Sequence, residues 1–344
     1  MVIILNSHAD ENDIQSLSAA LASRGHRVFC SLFDNRYVLS LQADAAIDER
    51  QLTAFDCVDR VVAVKTEYRL ANRAVKPEGT RFTVGQAEFG GPRPVVIAGP
   101  CSVENREQML RAADIVARHG AQVLRAGAFK PRTSPYSFQG LEERGLELLA
   151  EARERTGLPI ITEVLDAGDV DMVAGYADIL QIGSRNMKNY KLLKAVGALD
   201  KPVMLKRGMA SELNELLLSA EYILSGGNGK IILCERGIRT FSDFSRNTLD
   251  LNIVPAVKQA SHLPIIVDPS HGTGRRDLVA PMSLAALACG ADGLIVEVHP
   301  EPDMSLSDAD QAIGEETFAR LMSQSRDVLA WRTQHDPTPV NSFN

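Results

Sequence analysis

Four residues of the types that hold metal ions stand at telling places in the chain: Cys101, His271, Glu297 and Asp308. The first three close short aliphatic runs, VVIAGPC, PIIVDPSH and GLIVE, and Asp308 follows soon after the last of them. Thiolate, imidazole and carboxylate together suit a divalent first-row cation such as Mn, Fe, Co or Zn, and the mixture does not choose among them. Taken alone, Cys101 serves equally well as a small buried hydrophobe. A second group is cationic: Arg125, Lys130 and Arg132 in LRAGAFKPRT, Arg185 in IGSRN, Lys206 and Arg207 in MLKRG, and Arg236 in CERGIR. Guanidinium groups grip phosphate and carboxylate in forked pairs, whereas a lysine acts as a mobile point charge. So many cations exceed the needs of one phosphate, so two anionic groups or two substrates are expected. Some of them can instead pair with the nearby Glu163, Glu235 and Asp268. Lys206 also reads as an imine-forming lysine, although the anion-binding role fits its cationic neighbour better. Glu163 reads as a base, as a residue that positions water, or as a salt-bridge partner. His299 reads as support for the cation site, and His262 as structural.

These residues need elements that bring them together. Reading from Val95, eight runs (VVIAGPC, VLRAGA, PIITEVLD, ILQIGS, PVMLKRG, IILCERG, PIIVDPSH and GLIVEVH) begin with β-prone aliphatics and end in Gly, Cys, Arg, Lys, Glu, Asp or His. Helical stretches separate them, among them 106–118, 141–156, 211–224 and a last one at 308–331. Eight such alternations argue for an α/β fold, a (β/α)8 TIM barrel, whose strand C-termini converge on one rim. No GxGxxG follows a strand and opens a helix, which argues against dinucleotide binding. Residues 1–68 read strand, helix, strand, strand, helix, strand, with HRVFCSLF and RYVLSLQAD pairing around Asp34-Asn35 and a short helix near 48–54. That βαββαβ order is the order of a small ferredoxin-like domain. Residues 69–92 read as a linker whose RFTVGQAEFGG forms a hairpin closing the barrel bottom, 93–334 as the barrel, and 335–344 as a polar tail.

Composition narrows the partners. With 45% hydrophobic and 24% charged residues in 344, the chain is ordinary for a soluble globular protein. A net charge of −7 argues against nucleic acid or an anionic membrane as partner. The five cysteines form no CxxC pair and no dense framework, so reduced thiols in a cytoplasmic protein are expected. MVIILNSHADEND does not read as a signal peptide, and no apolar run approaches the about 18 residues of a membrane span.

Eight segments, in order, resemble the 3-deoxy-D-arabino-heptulosonate 7-phosphate (DAHP) synthases, in the microbial branch with a short N-terminal ferredoxin-like domain. They are AGPCSVE (98–104), LRAGAFKPRTSPYSFQG (124–140), TEVLD (162–166), QIGSRNMKN (181–189), LKRGM (205–209), CERGIRTF (234–241), VDPSHGTGRR (267–276) and VEVHPEPDMSLSDADQ (296–311). They span the whole barrel, and KPRTSPYSFQG distinguishes it from the sister 3-deoxy-octulosonate 8-phosphate synthases. The resemblance implies condensation of phosphoenolpyruvate with erythrose 4-phosphate, the first step toward the aromatic amino acids. By position it makes Arg125, Lys130, Arg185, Lys206 and Arg236 phosphoenolpyruvate contacts, with Ser184 beside them. Arg132 and Thr133 become contacts to the aldose phosphate. Cys101, His271, Glu297 and Asp308 match the metal ligands. Within this scheme Glu163, Lys130 and Lys206 are the groups expected to orient water and move protons. The resemblance also implies feedback control of the small domain by an aromatic amino acid and assembly as a homotetramer. Open alternatives are the eight-carbon synthase acting on arabinose 5-phosphate, a Schiff-base aldolase using Lys206, and a non-catalytic barrel.

Overall fold

Most strands are buried on both faces, and alternate side chains along them enter different cores. The computed structural model describes residues 1–33, 36–42, 49–131 and 134–335. The N-terminal part runs β1 (Val2–Leu5), α1 (Glu11–Ala22), β2 (Arg27–Phe33), β3 (Arg36–Gln42), α2 (Glu49–Leu52) and β4 (Val58–Val62). Its antiparallel sheet has the order β2-β3-β1-β4, the ferredoxin-like arrangement. Alternation along β1 sends Ile3 and Leu5 against Leu17 and Leu21 of α1 and Leu52 of α2. Val2 and Ile4 take the other face and join Tyr68 and Leu70 in the main core. α1 starts at Asp10 through a capping box with Asp13, which satisfies backbone donors the first turn leaves open. The turn expected at Asp34-Asn35, residue 48 of the expected short helix, and residues 336–344 lie outside the described residues.

The linker contains a hairpin of β5 (Phe82–Val84) and β6 (Ala87–Phe89). Eight parallel strands follow: β7 (Val95–Gly99), β8 (Val123–Arg125), β9 (Ile160–Glu163), β10 (Ile179–Ile182), β11 (Val203–Lys206), β12 (Ile231–Glu235), β13 (Ile265–Val267) and β14 (Gly293–Glu297). They close a TIM barrel, β14 pairing back on β7 so that Glu297 stands opposite Gly99. Between them lie α3 (Arg106–Arg118), α4 (Glu142–Thr156), α5 (Val170–Tyr176), α6 (Tyr190–Gly197), α7 (Leu213–Leu224), α8 (Ile253–Ala260), α9 (Pro269–Thr273) and α10 (Arg276–Ala288), with α11 (Glu315–His335) after β14.

Inside the barrel Ile97, Val123, Ile161, Ile179, Met204, Ile232, Ile266 and Ile295 pack on one another. Val84, Ala87 and Phe89 of the hairpin join them at the barrel's lower end. Phe89 is fully buried and stacks on Phe82 at 5.4 Å, a contribution of about 2–3 kcal/mol from burial. The alternate residues, such as Val96, Leu124, Leu180 and Leu205, face the surrounding helices.

The last helix begins at Glu315 and not at 308. Asp308 has φ 52 and ψ 41, a left-handed conformation that no α-helix residue adopts, and the segment before it carries Pro300 and Pro302. The start of the linker is fastened to the barrel by more than apolar contact. Glu221 on α7 accepts hydrogen bonds from the backbone amides of Leu70 and Ala71, at 2.7 and 2.9 Å.

Candidate active site

The functional side chains continue the barrel's inner face. Each lies two residues, or a multiple of two, past an interior apolar residue: Ile97 leads to Cys101, Val123 to Arg125, Ile161 to Glu163, Met204 to Lys206, Ile232 to Arg236, Ile266 to Asp268 and Ile295 to Glu297. Alternation therefore aims them all inward at the C-terminal rim. Two glycines mark where the packing is closest. A Cβ on Gly183 would lie 1.9 Å from Glu163 Oε1, and one on Gly127 would lie 2.7 Å from Lys130 Cδ.

The same parity decides between the two readings open for Arg207. Arg207 is one residue past Lys206 and faces away from the rim. It pairs with Glu235 at 3.0 Å and Asp250 at 2.8 Å and donates to the Ser211 carbonyl. It is a structural cation and takes no part in the pocket.

Cys101, His271, Glu297 and Asp308 bring one donor atom each within 4.8 Å of one another. Cys101 Sγ lies 3.3 Å from Asp308 Oδ2, and His271 Nε2 lies 3.3 Å from Glu297 Oε1. His271 Nδ1 is 2.7 Å from Asp268 Oδ2, so Nδ1 carries the proton and the Nε2 lone pair faces the cluster. Glu297 is held from both sides, by Arg125 at 2.5 Å on Oε1 and by Gln311 at 2.7 Å on Oε2. Burial and then the nearby Glu297 charge push the Cys101 thiol up to about 12. Burial opposes ionisation of Glu297 and Asp308, but His271 and surrounding cations outweigh it and hold both carboxyls below their usual range. A buried and a half-buried carboxylate and a thiol so close together leave negative charge that a divalent cation would neutralise, stabilising the thiolate. The donor set and the imidazole orientation both fit such an ion.

Beside the cluster lies a cavity of about 550 Å³ whose wall includes Arg125, Lys130, Arg185, Lys206 and Arg236. All but Arg185 are buried. Lys130 Nζ is 3.1 Å from both Cys101 Sγ and the Cys101 carbonyl, linking pocket and cluster. Lys206 Nζ donates to Asp268 Oδ2 at 2.5 Å, the same oxygen that orients His271. Glu163 faces the cavity and accepts from Gln181 at 3.2 Å, its register partner on β10. Ser184 also lines the wall, and Arg185 bonds the Pro131 carbonyl at 3.2 Å. Arg132 and Thr133 lie outside the described residues.

Sequence reasoning missed Arg239, Arg246 and Asn247, which line the same cavity, and Gln181 and Gln311, which hold its carboxylates. Arg246 reaches Asp308 Oδ1 at 3.3 Å. It sits in the long β12–α8 connection, where no periodicity marks it. Of the two remaining histidines, His262 bonds Thr80 and the Leu70 carbonyl, each at 2.7 Å, and fastens the linker. His299 faces Glu104 at 3.5 Å.

A parallel barrel with a dense cationic pocket beside a four-donor cluster at its C-terminal rim has the layout of a barrel enzyme's active site. Residues 75–330 match the DAHP synthetase I family and residues 1–66 the DAHP synthase ferredoxin-like domain. The chain is 47% identical to a phospho-2-dehydro-3-deoxyheptonate aldolase of Thermotoga maritima, over 95% of this chain and 97% of that one. A crystal structure of the DAHP synthase of that organism superposes with a TM-score of 0.77 at 46% identity, covering 96% of this chain and 97% of the other. A 2-dehydro-3-deoxyphosphooctonate aldolase of Syntrophobacter fumaroxidans is more distant, 32% identical over 72% of this chain and 91% of its own. This chain belongs to the DAHP synthase family, as an enzyme with a ferredoxin-like domain ahead of its barrel.

Proposed function

We propose that the enzyme condenses phosphoenolpyruvate with D-erythrose 4-phosphate, giving DAHP and inorganic phosphate. The observation that carries this reading is the four-donor cluster beside a pocket lined by seven cationic side chains, in a chain 47% identical to a phospho-2-dehydro-3-deoxyheptonate aldolase. The eight-carbon synthase of Syntrophobacter fumaroxidans resembles it at 32% over 72% of the chain. The seven-carbon reading is favoured because the relatedness at 47% reaches 95% of the chain.

Arg125, Lys130, Arg185, Lys206 and Arg236 surround the phosphate and carboxylate of phosphoenolpyruvate and offset repulsion between two anionic substrates. Ser184 adds a polar contact at the same wall, and Arg132 and Thr133 take the aldose phosphate. Carbon 3 of phosphoenolpyruvate attacks the aldehyde carbon, and carbon 2 gains positive character. Water adds at carbon 2 and loses one proton, and the resulting hemiketal collapses to the ketone as its carbon–oxygen bond to phosphate breaks, its hydroxyl proton leaving with the phosphate. Glu163, anchored by Gln181 on the cavity wall, orients that water and takes its proton. Lys130 or Lys206 gives a proton to the nascent hydroxyl. A divalent cation held by Cys101, His271, Glu297 and Asp308 would supply Lewis-acid polarisation of the aldehyde oxygen. The 2.5 Å pairing of Lys206 with Asp268 favours a charged ammonium over a free amine nucleophile, so imine chemistry is the weaker reading.

Phosphate release tests this directly. Release is expected with phosphoenolpyruvate plus erythrose 4-phosphate, far less with arabinose 5-phosphate, and little after chelation. Preference for arabinose 5-phosphate, or turnover untouched by chelator, overturns the assignment. The small domain is proposed to bind an aromatic amino acid as feedback effector, in a cytoplasmic homotetramer. Deleting residues 1–68 should abolish inhibition by that amino acid, and unchanged inhibition excludes the role.

A further inference from the structure

The segment that delivers Asp308 has almost no apolar anchor. Between Glu297 and Asp308 the chain passes through two prolines, and its large apolar side chains, Met304 and Leu306, are 70% and 60% exposed. Asp308 itself is in the left-handed region, which a non-glycine residue keeps only when its surroundings fix it. Something polar must therefore hold this segment against the barrel.

That anchor comes from the other side of the barrel seam. Glu104 lies three residues past Cys101, on a stretch fixed to β8 by the bridge of Ser102 with Gly127 and by the hydrogen bond from Val103 N to the Gly127 carbonyl. Its side chain is only 6% exposed. One carboxylate oxygen accepts from the amide of Leu306 at 2.9 Å and lies 3.1 Å from the Ser305 hydroxyl. The other faces His299 Nε2 at 3.5 Å. His299 Nδ1 accepts from the amide of Glu301 at 3.0 Å, which leaves the ring proton on Nε2, on the Glu104 side but not hydrogen-bonded to it. Two residues beyond Leu306's neighbour Ser305, the Ser307 hydroxyl lies 3.0 Å from Cys101 Sγ. One buried carboxylate thus ties the turn that holds Cys101 to the loop that holds Asp308.

We propose that Glu104 is a positioning residue for the cation site, clamping residues 305–307 against the Cys101 turn so that Asp308 faces the other three donors. It rests on the reading that those four donors bind a divalent cation. Residues that orient metal ligands from behind change metal affinity by about 10- to 100-fold when removed. A carboxylate suits the task better than an amide. It offers acceptors on both oxygens, whereas a glutamine would turn an NH2 toward either the Leu306 amide or the His299 N–H.

The test is titration of metal-stripped, full-length protein with Co(II) alone, followed by visible absorption. Glu104→Ala is expected to bind Co(II) about 10- to 100-fold more weakly, keeping the sulfur-to-metal band of Cys101 while its ligand-field bands shift. Glu104→Gln should fall between Ala and the unaltered protein, and keeps the fold testable if Ala is unstable. Adding Glu104→Ala to Asp308→Ala should weaken binding no further, because its effect passes through Asp308. Arg111→Ala removes the exposed 2.7 Å ion pair to Glu301 on the same loop and should leave affinity unchanged. Equal affinity in the Glu104 variants, or full additivity with Asp308→Ala, overturns the proposal alone. If the unaltered protein binds no Co(II), the cation reading falls and this proposal with it.

Discussion

Gly183→Ala isolates the role of one carboxylate without touching it. Gly183 has φ −69 and ψ 159, an extended backbone that alanine adopts freely, so the substitution is opposed by contact alone. The added Cβ would lie 1.9 Å from Glu163 Oε1 and 2.9 Å from its Cδ. Carbon and oxygen settle near 3.5 Å, so the carboxylate must move by roughly 1.5 Å and leave Gln181. A misplacement of about 1 Å in a catalytic group costs up to about 100-fold in rate, or about 2.7 kcal/mol of barrier. Steady-state kinetics with both substrates should show kcat reduced by about that factor, with KM for phosphoenolpyruvate little changed. Glu163→Gln should lose a similar factor, and the double variant should be no slower than the worse single one. Full turnover in Gly183→Ala beside a crippled Glu163→Gln would refute the reasoning. So would a raised KM alone, which would mean that Ser184 and Arg185 had moved instead.

Three other outcomes follow from the same coordinates. Burial lowers the imidazole of His262 from 6.5 to about 4, so below pH 6.5 the unfolded chain takes up a proton that the native ring refuses. Its contribution, about 3 kcal/mol at about 1.4 kcal/mol per pH unit, is complete above pH 6.5 and is lost as pH falls toward 4. Chemical denaturation across that window should flatten in His262→Gln, and an unchanged slope contradicts the argument. Phe89→Ala empties the hairpin plug and should cost about 3–5 kcal/mol in urea unfolding, whereas a loss below about 1 kcal/mol would mean that the barrel floor collapses to fill the gap. Borohydride added during turnover should trap no adduct on Lys206, and a covalent adduct there would restore the imine reading.

The barrel was legible because its eight runs begin in β-branched residues and end in chemistry, and the strand period of two carries that chemistry inward. Cys101, Lys206, Asp268 and Glu297 all obey this rule. Residue type alone left Arg207 open between pocket and ion pair, and parity decides it, since one position along a strand is the whole difference between pocket and core. The start of the last helix was set too early because apolar spacing in 308–331 carries no trace of the left-handed turn at Asp308. Arg239, Arg246 and Glu104 were not seen as site residues. They work from loops, where contacts follow tertiary geometry and leave no period in the sequence. The ferredoxin-like order was readable from the succession of strand-prone runs and helically spaced apolar residues such as Leu17 and Leu21, which now pack on Ile3 and Leu5.

What matters most is whether four donors from distant parts of the chain share one ion beside the cationic cavity. Anomalous diffraction from crystals loaded with zinc alone addresses this most directly. A single peak is expected about 2.3 Å from Cys101 Sγ and about 2.0–2.2 Å from His271 Nε2 and from one oxygen each of Glu297 and Asp308. A peak elsewhere, or none among these atoms, would contradict the account.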